Sequence, residues 1–193
     1  MESLDVSLLL WVNSFSGEHL LFDNIIKQSA GDYLFPVYAS LILMWMWFSQ
    51  KIPHQRSRYQ VAVLTAIASI GLTNFAVRVI MELFPRSRPF EDLAIEILLY
   101  APTDPSFPSN PVSVLATITF TIFIVSKRIG VGLFFMTAAL GFGRIYGGVA
   151  YPSDVLGGII VGVACGLLIL VIARMAYPTL QLFLRLARII CLA

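Results

Sequence analysis

The hydrophobic positions of this chain fall into long runs that short polar stretches separate. The runs that approach the length of a membrane-spanning helix, about 20 residues, cover 33–48, 60–83, 112–125, 129–146 and 155–173. The third run reaches that length only by extension into 108–111, where proline is tolerated in a first helical turn. The pattern predicts an all-α integral membrane protein, a bundle of five to six transmembrane helices.

The two ends of the chain are apolar, but they are shorter and carry more polar residues. The N-terminal segment, 1–32, predicts an amphipathic or partial helix, either at the membrane interface or as a sixth core helix. The C-terminal segment, 175–193, sets apolar residues against Arg185 and Arg188, which is typical of an interfacial amphipathic helix. The core spans then lie within 33–174, and 1–193 forms a single transmembrane domain.

Composition agrees with a membrane protein. Of the 193 residues, 58% are hydrophobic and only 12% are charged, and the net charge is +2. These values lie outside the range of soluble globular domains. We therefore expect membrane lipids around the chain, and no nucleic acid as a partner.

Basic residues are divided unequally between the two sides of the predicted bundle. One side carries the larger group: Lys51, Arg56, Arg58, Lys127, Arg128, Arg174, Arg185 and Arg188. The positive-inside rule places that side in the cytoplasm. The connections at 85–107 and 146–153 are then both expected on the outer face.

Three short segments at that outer face carry the recognisable chemistry. They are MELFPRSRP at 81–89, FPSNP at 107–111 and GRIYGGVAYPSD at 143–154. Together they resemble the three signature motifs of the type 2 phosphatidic acid phosphatase family, and the spellings are most similar to small bacterial undecaprenyl-pyrophosphate phosphatases. The resemblance implies a multi-pass protein of the bacterial inner membrane.

Four polar motif positions are kept. The resemblance implies that Arg88, Ser109 and Arg144 bind phosphate, and that Asp154 stands where the family has the residue that orients its nucleophile. Asp154 also precedes an apolar run, where a carboxylate caps a helix. We favour the cap, since the histidine to be oriented is missing, with an ion pair to a motif arginine as the second alternative.

Four other motif positions are replaced. Met81 stands at the lysine position, Pro111 at that of the proton-donating histidine, Gly143 at that of a serine, and Ala150 at that of the nucleophilic histidine. The chain has two histidines, His19 and His54, and both lie outside the motifs. The resemblance therefore implies that no catalytic set is intact.

Arg78 is a candidate replacement for the motif lysine. It lies three residues before Met81 and so on the same helix face, within reach of the phosphate site for a snorkelling arginine. An equally good alternative is a structural ion pair with Glu82, four residues further on.

We predict a catalytically degenerate lipid-phosphatase-like protein. It binds a lipid phosphate or pyrophosphate at the outer leaflet, or serves as a subunit of a larger membrane complex with other membrane proteins. The alternative is an active phosphatase for undecaprenyl pyrophosphate or phosphatidic acid that uses an atypical nucleophile. We expect no cofactor and no metal, since the family needs neither.

Overall fold

A computed structural model describes residues 4–31, 34–181 and 184. The described residues are helical and contain no strand, as predicted. The helices are α1 (Leu4–Asn13), α2 (Leu20–Ser29), α3 (Leu34–Phe48), α4 (Pro53–Leu83), α5 (Pro89–Asp92), α6 (Asn110–Val125), α7 (Lys127–Tyr146) and α8 (Pro152–Met175). The predicted C-terminal amphipathic helix falls mostly on 182–183 and 185–193, which lie outside the described residues.

Each predicted apolar run coincides with one of these helices. Three of them, α4, α7 and α8, are long and apolar enough to cross a membrane, whereas α3 and α6 are apolar but shorter. The starts differ from the prediction because polar residues form the first turns. Pro53, Pro111 and Pro152 each lie in a first helical turn, where the missing amide hydrogen is not needed.

The centre of the bundle is α6, which packs against α4, α7 and α8. Helix α8 approaches closely through glycine: a Cβ atom on Gly162 would lie 2.3 Å from the carbonyl oxygen of Ser113. The glycines Gly158, Gly162 and Gly166 of α8 therefore let this helix lie close against α6. Buried aliphatic side chains such as Leu115, Ile122 and Leu140 fill the remaining space.

The N-terminal segment forms two short helices against the bundle. Helix α1 packs on α7 and α8, and α2 packs on α7 and α3. The side-chain amide of Asn13 donates to the carbonyl oxygen of Tyr146 (2.9 Å), and the Tyr146 hydroxyl donates to Asp23 (2.7 Å). With 10 residues each, α1 and α2 are too short for the sixth span that the sequence left open.

Candidate functional site

The three motif segments meet at one end of the bundle. The Ser109 amide donates to the Asp154 carbonyl oxygen (3.1 Å), and the Arg88 guanidinium donates to the Val149 carbonyl oxygen (2.7 Å). These bonds join the first and second segments to the third. The predicted convergence of the three segments is therefore confirmed, and it follows from the ends of α4 and α7 and the starts of α6 and α8 lying together.

Two adjoining cavities open at this end. Their volumes are about 750 and 380 Å³, within the usual range for ligand sites. Asn74 of α4, Asp104 of the loop and Asn110 of α6 border both cavities. The site is thus built from three separate parts of the chain.

Two of the predicted phosphate ligands border the cavities directly. Arg144, only 3% exposed, lines the smaller one, and Arg78 lines the larger one beside Met81 and Glu82. Among the ion pairs of the described residues, none joins Arg78 to Glu82. The ion pair that the sequence offered as an alternative is therefore not formed.

Arg88 is held by the protein itself. It is 4% exposed, and its Nε and Nη2 atoms donate to the backbone oxygen and the carboxylate of Asp104, both at 2.8 Å. Its Nη1 atom donates to Val149, as described above. Arg88 therefore fastens the loop before the second segment to the third segment.

Asp154 is at the centre of a second polar network. Its side chain is fully buried, and it accepts the Tyr151 amide (2.9 Å), the Arg86 guanidinium (2.7 Å) and the Ser106 hydroxyl. The bond from Tyr151 is a capping contact at the start of α8. The ion pair of Asp154 is made with Arg86, which lies within the first motif segment.

Arg86 also binds the N-terminal helix. Its Nη2 atom lies 2.7 Å from Asp5, and its guanidinium stacks 4.1 Å from the ring centre of Tyr151. Asp5 accepts the amide and the hydroxyl of Ser153 as well. Burial opposes ionisation of Asp5, but the bonds from Ser153 and Arg86 outweigh it, so its pKa lies below the ordinary value.

The four positions at which the sequence departs from the expected motifs lie in different surroundings. Ala150 is 1% exposed and belongs to the hydrophobic core. A Cβ atom on Gly143 would lie 2.4 Å from that of Ala30 at the end of α2, so a serine does not fit there. Pro111 borders the smaller cavity. His19 precedes α2, and His54 lies in the first turn of α4, at the opposite end of the bundle.

Three residues that border both cavities, Asn74, Asp104 and Asn110, were not predicted from the sequence. Asn74 was detectable, because an amide within an apolar span is a functional candidate by default. Asp104 and Asn110 carry no such signal, since polar residues are ordinary in a loop and at a helix start. No group of three or more histidine, cysteine, aspartate or glutamate side chains is arranged for a metal ion within the described ranges.

The chain is similar to several bacterial membrane phosphatases. An undecaprenyl-diphosphatase of Bacillus subtilis (strain 168) is 29% identical over 154 residues, 80% of this chain and 77% of that protein. The crystal structure of LpxE from Aquifex aeolicus has a TM-score of 0.71 and 27% identity, and the match covers 88% of this chain and 96% of that one.

The fold has a second solved counterpart. The transmembrane PAP2 type phosphatidylglycerolphosphate phosphatase of Bacillus subtilis matches with a TM-score of 0.67 at 18% identity, over 89% of this chain and 85% of that one. The model of the PAP2 superfamily matches residues 61–178, which contain all three motif segments. The chain is a membrane protein and belongs to the PAP2 superfamily.

Proposed function

We propose that this protein binds the phosphate or pyrophosphate group of a membrane lipid in the two cavities and does not hydrolyse it. One observation carries the proposal: the cavities keep the cationic side chains Arg144 and Arg78, whereas Ala150 is packed in the apolar core. The ligand set proposed is Arg78, Arg88, Ser109 and Arg144. The distribution of basic residues supports a site at the outer leaflet.

Arg144 and Arg78 make the direct contacts in this proposal. A guanidinium group presents its donors in a rigid fork that matches phosphate oxygens. Such charge-assisted bonds are about twice as strong as neutral ones. Arg144 is almost fully buried, so its bonds to a ligand would be only weakly screened by water.

Arg88 and Ser109 act from behind the cavity wall. Arg88 reaches a phosphate by exchanging the Asp104 carboxylate, to which it is bound at 2.8 Å, for the ligand. Ser109 holds the start of α6 against the third segment. The free amides of that helix start favour an anion.

Hydrolysis by the family mechanism needs a nucleophile and a proton donor. Ala150 and Pro111 supply neither at the two motif positions. Asp154, which would orient the nucleophile, is bound to Arg86 and Ser106. These residues support binding without cleavage.

The names of the relatives favour a second candidate, an active lipid phosphate or pyrophosphate phosphatase. The Bacillus subtilis relative is named an undecaprenyl-diphosphatase, and the comparisons support hydrolysis more than its loss. Activity would require an atypical nucleophile. His19 is the histidine to test, since it starts α2, whose Asp23 is bound to Tyr146 at the motif end of α7.

Lipid binding by the purified protein tests the first proposal. Dissociation constants for undecaprenyl pyrophosphate and phosphatidic acid are measured by native mass spectrometry for the wild type, Arg144→Gln and Arg78→Gln. We expect each variant to bind about tenfold more weakly, since a bond between charged groups contributes roughly 1.5 kcal/mol or more. Arg128→Gln, which removes an exposed arginine at the other end of the bundle, is the matched control.

Two outcomes contradict the binding proposal. Unchanged affinity in both cavity variants would place the lipid elsewhere. No binding of either lipid by the wild type would leave a role as a subunit of a membrane complex. Phosphate release that Arg144→Gln removes would establish the second candidate, and loss of that release in His19→Ala would assign its nucleophile.

A further inference from the structure

The two cavities contain as much negative as positive charge. Arg78 and Arg144 contribute two cations, and Glu82 and Asp104 contribute two carboxylates. Glu82 is exposed and makes no ion pair among the described residues. The charges that line the cavity wall therefore sum to zero, and with Arg88 behind the wall, which is paired with Asp104, the site has a net charge of only +1.

A pyrophosphate would fit this charge pattern poorly. Its several negative charges would find three arginines, one of them already paired with Asp104, and they would also lie beside the carboxylates of Glu82 and Asp104. At separations near 4 Å, like charges repel by about 1 kcal/mol in water and by more in a partly buried site. A ligand that carries one cation besides its phosphate removes this repulsion.

The order of charges along α4 gives the ligand a direction. Glu82 lies one helical turn beyond Arg78, about 6 Å further toward the motif end at 1.5 Å per residue. The cation is thus the deeper group and the carboxylate the shallower one. A lipid headgroup in which the phosphate is next to the acyl chains and an ammonium group lies outside it has the complementary order.

Asn110 supplies an acceptor that needs a donor. Its side-chain oxygen is buried and has no hydrogen-bond partner within the described part of the chain, although the residue borders both cavities. Ionised phosphate oxygens only accept hydrogen bonds, so they cannot satisfy it. An ammonium group has three donors, and a buried acceptor without a partner is costly.

Arg88 is buried but Asp104 is 52% exposed, so water would solvate the Asp104 carboxylate if Arg88 left it, whereas a ligand of both signs would replace the ion pair itself. A purely anionic headgroup that takes Arg88 would release Asp104 without a partner. A zwitterion would place its phosphate on Arg88 and its ammonium group on Asp104. The exchange then conserves the number of ion pairs.

We infer that the lipid bound in these cavities has a zwitterionic headgroup, a phosphate with a primary amine on its outer side. Arg78, Arg88 and Arg144 bind the phosphate, and Glu82, Asp104 and the Asn110 oxygen bind the ammonium group. This inference rests on the proposed function, since it takes the two cavities to be a lipid phosphate site.

The test compares phosphatidylethanolamine with its N-acetylated form, which keeps the phosphate and loses the positive charge. Binding of each lipid to the purified protein in detergent is measured by native mass spectrometry. We expect the wild type to prefer phosphatidylethanolamine by about tenfold, the range of one bond between charged groups. Glu82→Gln is expected to reduce that preference severalfold, whereas Glu18→Gln, an exposed acid outside both cavities, leaves it unchanged.

The variants separate the failure of this inference from that of the proposed function. If Arg78→Gln weakens both lipids equally and Glu82→Gln changes nothing, the phosphate site stands and the amine preference is refuted. If undecaprenyl pyrophosphate binds more tightly than phosphatidylethanolamine, the inference is also refuted. If Arg78→Gln and Arg144→Gln change neither lipid, the proposed function itself fails.

Discussion

The substitution Asp154→Asn removes the charge at the centre of the second polar network and keeps the size of the side chain. The wild-type carboxylate is fully buried and accepts the Tyr151 amide, the Arg86 guanidinium and the Ser106 hydroxyl. Removing one partner of a buried pair costs about 3 to 5 kcal/mol. Because Arg86 is 35% exposed and keeps Asp5, we expect a loss of about 2 to 3 kcal/mol for Asp154→Asn.

Thermal unfolding in detergent, followed by tryptophan fluorescence, measures this loss. At 2 to 4 °C per kcal/mol, the Tm should fall by roughly 5 to 10 °C. Asp92→Asn is the control, because Asp92 is exposed and accepts only the Ser87 hydroxyl; its effect should stay within about 0.5 kcal/mol. The double variant of Asp154→Asn and Arg86→Met should lose about 1 to 2 kcal/mol less stability than the sum of the two single losses. Equal Tm values for Asp154→Asn and Asp92→Asn, or strict additivity, would refute the structural role.

Three further predictions concern packing and pH. Gly143→Ser should lower the Tm, because its Cβ would lie 2.4 Å from that of Ala30, and Ala30→Gly should restore much of the loss; a stable single variant would contradict the packing of α2. Gly162→Ala should destabilise the protein by about 2 kcal/mol or more, because the added methyl group clashes with α6. Gly71→Ala, which has open space around it, should stabilise the protein slightly. Equal effects of the two substitutions would exclude the close approach of α8 to α6. Since the pKa of Asp5 is lowered, the stability that its carboxylate contributes should be complete above pH about 4 and should disappear as the pH falls further. A pH profile of stability that Asp5→Asn leaves unchanged would refute this.

The helices were predictable from the sequence because apolar runs of spanning length have few alternatives in a bilayer. The first turns of α4 and α6 were harder to predict, since they contain polar residues and only the apolar part of each helix forms a hydrophobic run. The convergence of the motif segments followed from run lengths and the placement of basic residues. These features depend on composition along one stretch of chain.

The partners of the site residues were not predictable in the same way. Arg88 binds Asp104 across 16 positions, and Arg86 binds Asp5 across 81 positions. Such pairs depend on how loops fold over the helix ends, and no periodicity records that. The reason for Gly143 was hidden as well, because it is the approach of α2, and not the local sequence, that leaves no room for a side chain.

The most direct test of the account is phosphate release by the purified protein from undecaprenyl pyrophosphate and phosphatidic acid, with Arg144→Gln measured beside it. The proposal of binding without cleavage predicts that the wild type releases no more phosphate than the variant, although it binds the lipid. Release by the wild type that disappears in Arg144→Gln would contradict the account and show that the chain is an active phosphatase with an unconventional nucleophile.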